Sequence, residues 1–248
     1  MKFEIEKVFG FTMAEVLVTL GLVGVVAAMT LPSVITKIED QVVVARLKKI
    51  YSILTISYQS HIVLEGDPTS WALGDVSDYS TSEDYANSAG LARIFENKIQ
   101  SALVCGSKKG CFADGYYKFT NGTEWRDSLD EKTHRYKMVT NDGVSVAYHW
   151  YAGKCDKQEK NLKICGMVFV DVDGPKSGPA TWGKDLFRFM LTKNNVVPDG
   201  DVMHAGSDFS KSECPKQGTQ CAAWVIYNEN RDYLRCKNLK WYSKTKCQ

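Results

Sequence analysis

Before Cys105 the chain has no cysteine, and from Val16 to Leu31 it has no ionisable side chain. It has almost no net charge: 31 basic and 29 acidic residues in 248 leave +2. That balance excludes a global field drawing the chain to nucleic acid or acidic lipid. No C-x-x-C occurs, and His61, His134, His149 and His204 are scattered, which excludes the usual zinc spacings. G-x-S-x-G, H-E-x-x-H, the P-loop and G-x-G-x-x-G are all missing, so no enzymatic role is expected. Internal repeats and low-complexity segments are missing too. What remains is an apolar N-terminal segment on a polar body, in a chain whose 44% hydrophobic content overall suits a buried core.

All eight cysteines lie in the C-terminal part: Cys105, Cys111, Cys155, Cys165, Cys214, Cys221, Cys236 and Cys247. Cysteines at these spacings read as a disulfide framework, which places this part of the chain in an oxidising compartment. Eight cysteines allow about 105 connectivities. Pairing each with its neighbour is the simplest: 105–111, 155–165, 214–221 and 236–247.

The apolar run opens on a carboxylate. In FGFTMAEVLVTL, Glu15 precedes 16 uncharged residues, VLVTLGLVGVVAAMTL. A charge at a bilayer centre costs roughly 2.5–3.5 kcal/mol, so Glu15 needs a use. A secretory signal peptide would take Lys2 and Lys7 as its basic region and cleave after Ala28, leaving Met29 first. Glu4 and Glu6 cancel those lysines, and Glu15 sits at the entrance to the apolar core. A plain anchor from Val16 to Leu31 is about 24 Å of helix, which is short. Extended from Phe11 to Ile35 it is about 37 Å and spans, but then includes Glu15. Cleavage between Gly10 and Phe11 makes sense of the acid. Glu15 becomes the fifth residue, near a new amino group and favoured at a helix N-terminus. Paired with the amine of a neighbouring chain, it sets axial register, the best-attested use of a buried polar pair.

GFTMAEVLVTLGLVGVVAAMTLP resembles the N-terminus of type IV pilins and type II secretion pseudopilins, through Gly10, Phe11, Thr12, Glu15, the apolar run, Gly24 and Pro32. It departs from the family in a leader, MKFEIEKVFG, without net positive side-chain charge, and in Met13 and Ala14, where bulkier aliphatics are frequent. The resemblance implies a prepilin peptidase that cuts after Gly10 and methylates Phe11, with Glu15 as the assembly carboxylate. It implies insertion in the inner membrane with the head outside the cytoplasm, then packing with other pilin-like subunits in a filament. The rival from another class is a secreted or membrane-anchored disulfide-rich binding protein.

Pro32 deletes a helical hydrogen bond to the carbonyl of Ala28 and predicts a kink. Beyond it Val43, Leu47, Ile50, Leu54, Tyr58 and Ile62 form an apolar stripe, opposed by Lys37, Gln41, Lys48, Ser52, Thr55 and Gln59. The pattern predicts an amphipathic continuation that packs on a head and stops at Gly66-Asp67-Pro68. The expected organisation is a leader at 1–10, a transmembrane and assembly helix at 11–35, its amphipathic continuation at 36–65 and a disulfide-containing head at 66–248. In the head, a helix is expected from Ser82 to Leu103. Strands are expected at 116–120, 136–140, 144–150, 167–171 and 224–228, with a hairpin at Asn141-Asp142-Gly143. The fold class is α+β: a long N-terminal helix on an antiparallel-sheet head, pilin-like by resemblance.

Two stretches of the head carry lesser readings. Asp171 and Asp173, two apart before Gly174-Pro175, offer oxygens to calcium, with Asp185, Asp199 and Asp201 able to join. The EF-hand pattern fails, and a strand-end turn is the plainer expectation. No other cofactor is expected. RDYLRCKNLKWYSKTKC interleaves Arg231, Arg235, Lys237, Lys240, Lys244 and Lys246 with Tyr233, Trp241 and Tyr242. Basic and aromatic residues together suit DNA, as in a DNA-binding minor pilin, and a solvated last hairpin is the plainer expectation.

Overall fold

The computed structural model describes residues 10–76, 81–201 and 208–247. Met1–Gln41 and Val42–Gln248 are two compact units. Helix α1 (Met13–Glu65) runs through Pro32 and passes from the first unit into the second. It ends where expected: Gly66 turns at φ +82°, and the Asp67 carboxylate caps the following turn at the N–H of Thr69.

In the head the polar side of α1 faces out, with Lys48 and Ser52 exposed, while Val43, Leu47, Ile50, Leu54 and Tyr58 are buried. Tyr58 donates through its hydroxyl to the carbonyl of Thr192 at 2.8 Å, and the Arg46 guanidinium donates to the carbonyl of Val172 at 2.7 Å. The helix is therefore held to the sheet by polar contacts as well as by its stripe.

The sheet is six-stranded and antiparallel, in the order β1–β4–β5–β8–β9–β10. The strands are β1 (Ser101–Gly106), β4 (Tyr136–Thr140), β5 (Ser145–Trp150), β8 (Gly166–Asp171), β9 (Leu186–Leu191) and β10 (Val196–Pro198). Short hairpins β2–β3 (Tyr117–Lys118, Glu124–Trp125) and β6–β7 (Lys157–Glu159, Leu162–Ile164) stand apart. One face of the central strands, with Val146, Tyr148, Trp150, Val168 and Val170, packs with the α1 stripe and with Leu91 and Phe95 of α2 (Ser82–Glu96). The other face, with Ala147, Met167, Phe169 and Met190, packs under Phe112, Tyr117, Leu129 and Trp182. Each buried Val, Leu, Met or Phe among them contributes roughly 1.5–3 kcal/mol of burial.

The expected hairpin joins β4 to β5. Gly143 turns at φ +83°, and its N–H donates to Thr140 at 2.9 Å. Gly174 packs against this turn, where a Cβ would lie 2.0 Å from the Gly143 carbonyl oxygen, so only glycine fits.

Three expectations are corrected. The helix from Ser82 ends at Glu96, where the N–H groups of Lys98 and Ile99 both turn onto the carbonyl of Phe95, and Leu103 lies in β1. Pairing with β4 outweighs the apolar spacing there. The stretch 224–228 is helical rather than extended: α4 (Ala222–Asn228) follows the short α3 (Cys214–Gln217). Its Trp224 is clasped between Phe209 and Trp241, and burial of nearly every residue hides its period. The C-terminal segment forms no strand hairpin: it is a turn at Asp232–Leu234 with one isolated bridge, Lys240 to Lys244.

Four disulfides close the neighbouring pairs Cys105–Cys111, Cys155–Cys165, Cys214–Cys221 and Cys236–Cys247.

Candidate functional site

The N-terminal half of α1 meets the physical requirements of a membrane-inserted helix. It is the one helix among the described residues long and apolar enough to cross a bilayer, and that stretch has no buried residue. Leu17, Val18 and Leu22 are each about two-thirds exposed or more, and Phe11 is 88% exposed. Three hydroxyls in and just beyond the run are satisfied locally. Thr19 donates to the carbonyl of Glu15 (2.8 Å), Thr30 to that of Val26 (3.0 Å) and Thr36 to that of Pro32 (2.9 Å). Such back-bonding lets a threonine sit in hydrocarbon. Around Gly21 and Gly24 the helix surface is open.

Glu15 is the only ionisable residue between Gly10 and Lys37, and its carboxylate has a local partner. The backbone N–H and the hydroxyl of Thr12 both donate to it at 2.8 Å, while the N–H of Glu15 donates to the Thr12 hydroxyl oxygen at 3.2 Å. This reciprocal arrangement is a capping box at the start of α1. Its signature, T-M-A-E, is in the sequence, where the acid reads first as half of an intermolecular pair. The described residues begin at Gly10, which is exposed beside Phe11. The expected leader, apart from Gly10, lies outside them.

In the head, the acids expected to offer calcium sites form a turn. One Asp171 oxygen accepts from the N–H groups of Asp173 and Gly174, both at 3.2 Å, and the other is buried without a hydrogen bond. Burial and the nearby Asp185 push the Asp171 carboxyl well above the usual range. Burial likewise raises Asp185 to about 6. Asp173 is partly exposed, with the Arg46 guanidinium 4.0 Å away. Asp199 is committed to Arg188 at 2.7 Å, and Asp201 accepts from the Tyr227 hydroxyl at 2.7 Å. No group of three or more His, Cys, Asp and Glu side chains among the described residues could hold a metal ion.

Two of the scattered histidines meet where the chain enters β4 beside β5: His134 lies two residues before β4 and His149 within β5. The His134 and His149 rings lie 4.6 Å apart, and the Tyr151 ring lies tilted against His149 at 3.9 Å. Burial, with the Arg135 and Lys132 charges, lowers His134 to about 4 and pushes His149 lower still. Both are neutral at neutral pH. Sequence spacing could not pair them, because their proximity depends on strand register.

The C-terminal aromatics do not form a stacking platform. Tyr233 is buried with its hydroxyl on the carbonyl of Gly183, and Trp241 is buried against Phe209. Arg231 is buried, its guanidinium on the carbonyl of Lys184. Of the three aromatics only Tyr242 is exposed, at 80%.

Comparison of the chain with protein-family models, with curated proteins and with solved structures gives no match.

Proposed function

We propose that the chain is a structural subunit of a type IV pilus or type II secretion-like filament, a pilin or pseudopilin. It is processed after Gly10 by a prepilin peptidase and assembled through the N-terminal half of α1. The observation that carries this reading is a helix with no buried side chain among those described from Met13 to Ile35, with Glu15 as its single ionisable group and that group held at its first turn. Before assembly the bare surface is covered by lipid, and afterwards by the same helix of neighbouring subunits. The head gives independent support. The second half of α1 carries an antiparallel sheet, and four disulfides suit an extracytoplasmic location.

The mechanism is non-covalent polymerisation. Apolar packing supplies cohesion. Cleavage frees the amine of Phe11 one turn from Glu15, and that amine on one subunit pairs with the carboxylate of the next to set the axial step. Mass spectrometry of the N-terminal peptide from cell membranes tests the reading. N-methylphenylalanine at position 11 supports it. A mature chain beginning at Met29 removes both Glu15 and the anchor, and overturns it.

A further inference from the structure

A groove of about 680 Å³ opens on the head between the Thr120–Asn121 turn, Lys184, α3 and the Tyr233–Leu239 segment. That volume falls in the range of small-molecule sites. Lys184, Lys216, Arg235 and Lys237 line it, and no carboxylate does. Arg235 bonds to Asp232, and Lys216 lies 3.8 Å from Glu213, both acids standing outside the groove. Lys184 and Lys237 are exposed and form no salt bridge among the described residues. Cys214 and Cys236 are in the walls, so two disulfides brace the shape.

We propose that this groove binds an anionic saccharide, one carrying carboxylate or sulfate groups. The cations answer the acid groups. Asn121, Asn238, Thr181 and Ser210 around them answer hydroxyls. The Asn121 side-chain oxygen accepts from Thr123, which leaves its NH₂ donors for a ligand. Phe209 and Tyr233 form part of the floor but are 2% and 7% exposed, so no ring is offered to an unstacked base. That favours a sugar acid over single-stranded nucleic acid. The site is independent of the N-terminal helix and of whether the chain assembles.

The test is calorimetric titration of the full chain in a sugar-free detergent. The probes are a galacturonate tetramer, a sulfated tetrasaccharide, neutral maltotetraose, a glutamate tetrapeptide and single-stranded DNA. One or both acidic saccharides bind, and which of them binds identifies the acid group. Lys184→Ala with Lys237→Ala weakens that binding about tenfold. Lys184→Arg with Lys237→Arg retains it, and Lys244→Ala with Lys246→Ala, outside the groove, leaves it unchanged. Absence of saccharide binding, equal binding of maltotetraose, tighter binding of the peptide or DNA, or indifference to the Lys184/Lys237 alanine pair overturns the proposal.

Discussion

Glu15 and Thr12 hold each other: the acid accepts from the threonine N–H and hydroxyl at 2.8 Å, and the threonine oxygen accepts from the Glu15 N–H. The same carboxylate can therefore start the helix and, on the proposed reading, meet a neighbour's amine. The two roles separate by substitution. Glu15→Gln keeps a capping box, since glutamine serves at that position, but removes the charge. Glu15→Val removes both. Both variants are expected to insert and to be cleaved, and both to enter filaments at least about tenfold less than wild type, a loss of about 1.4 kcal/mol. Subunit counting in sheared filaments reads the result. Normal incorporation of Glu15→Gln would reduce Glu15 to a helix cap and remove the register mechanism.

Gly10→Lys places a long, charged side chain beside the bond expected to be cut. The precursor is expected to accumulate uncut, with its mass raised by the leader. An unchanged mature N-terminus would reject Gly10 as the residue before the cleaved bond.

Asp171 gives the head a pH dependence of definite sign. Its folded carboxyl titrates well above the unfolded value, so the folded head binds the proton more tightly. Stability from this group is fully present below the unfolded pKa and is lost as pH rises through the folded one. Asp185 acts in the same direction, losing its share between about 4 and about 6. His134 and His149 act in the opposite direction: His134 costs stability as pH falls from the ordinary histidine value toward about 4, and the cost from His149 keeps growing below that. Asp171→Asn keeps the acceptor oxygen for Asp173 and Gly174 and removes the buried charge. Its melting temperature should exceed wild type by about 2–4 °C at pH 8 and converge with it at pH 4. A gap that is constant across pH would show that Asp171 is not the titrating group.

Leu54 is fully buried at the centre of the α1 stripe. Leu54→Ala should cost about 2–5 kcal/mol in denaturant unfolding of the head, because the sheet beneath cannot collapse into the space. The equivalent change at Leu22, which is 67% exposed, should leave that transition within about 0.5 kcal/mol of wild type. Equal effects at the two sites would contradict the division of α1 into a packed half and a bare half.

How much of this was legible beforehand follows from where each side chain reports its environment. The α1 stripe could be read because one side meets protein and the other water, which gives Leu47 and Lys48 opposite fates. The hairpin at Asn141-Asp142-Gly143 could be read because turn chemistry is local. Strand β9 could not, since Leu186–Leu191 is buried between β8 and β10 and its Arg188 is neutralised by Asp199, not by solvent. The helix around Trp224 reads as a strand for a similar reason: with Ala222–Ile226 all buried, the segment loses its period. At the first turn of α1, T-M-A-E carries the capping-box signature, but the same acid also fits an intermolecular pair, so the sequence alone leaves its partner open. The groove was not visible, because Lys184 is far in sequence from Lys216 and Lys237.

Each cysteine of the head is bonded to the next one along the chain, across separations of 6, 10, 7 and 11 residues. In a chain oxidised as it emerges from a translocon, every thiol therefore meets its native partner before any later competitor exists. The order of synthesis alone writes the correct connectivity, so such a head can mature with a simple thiol oxidase and needs no isomerase to reshuffle it.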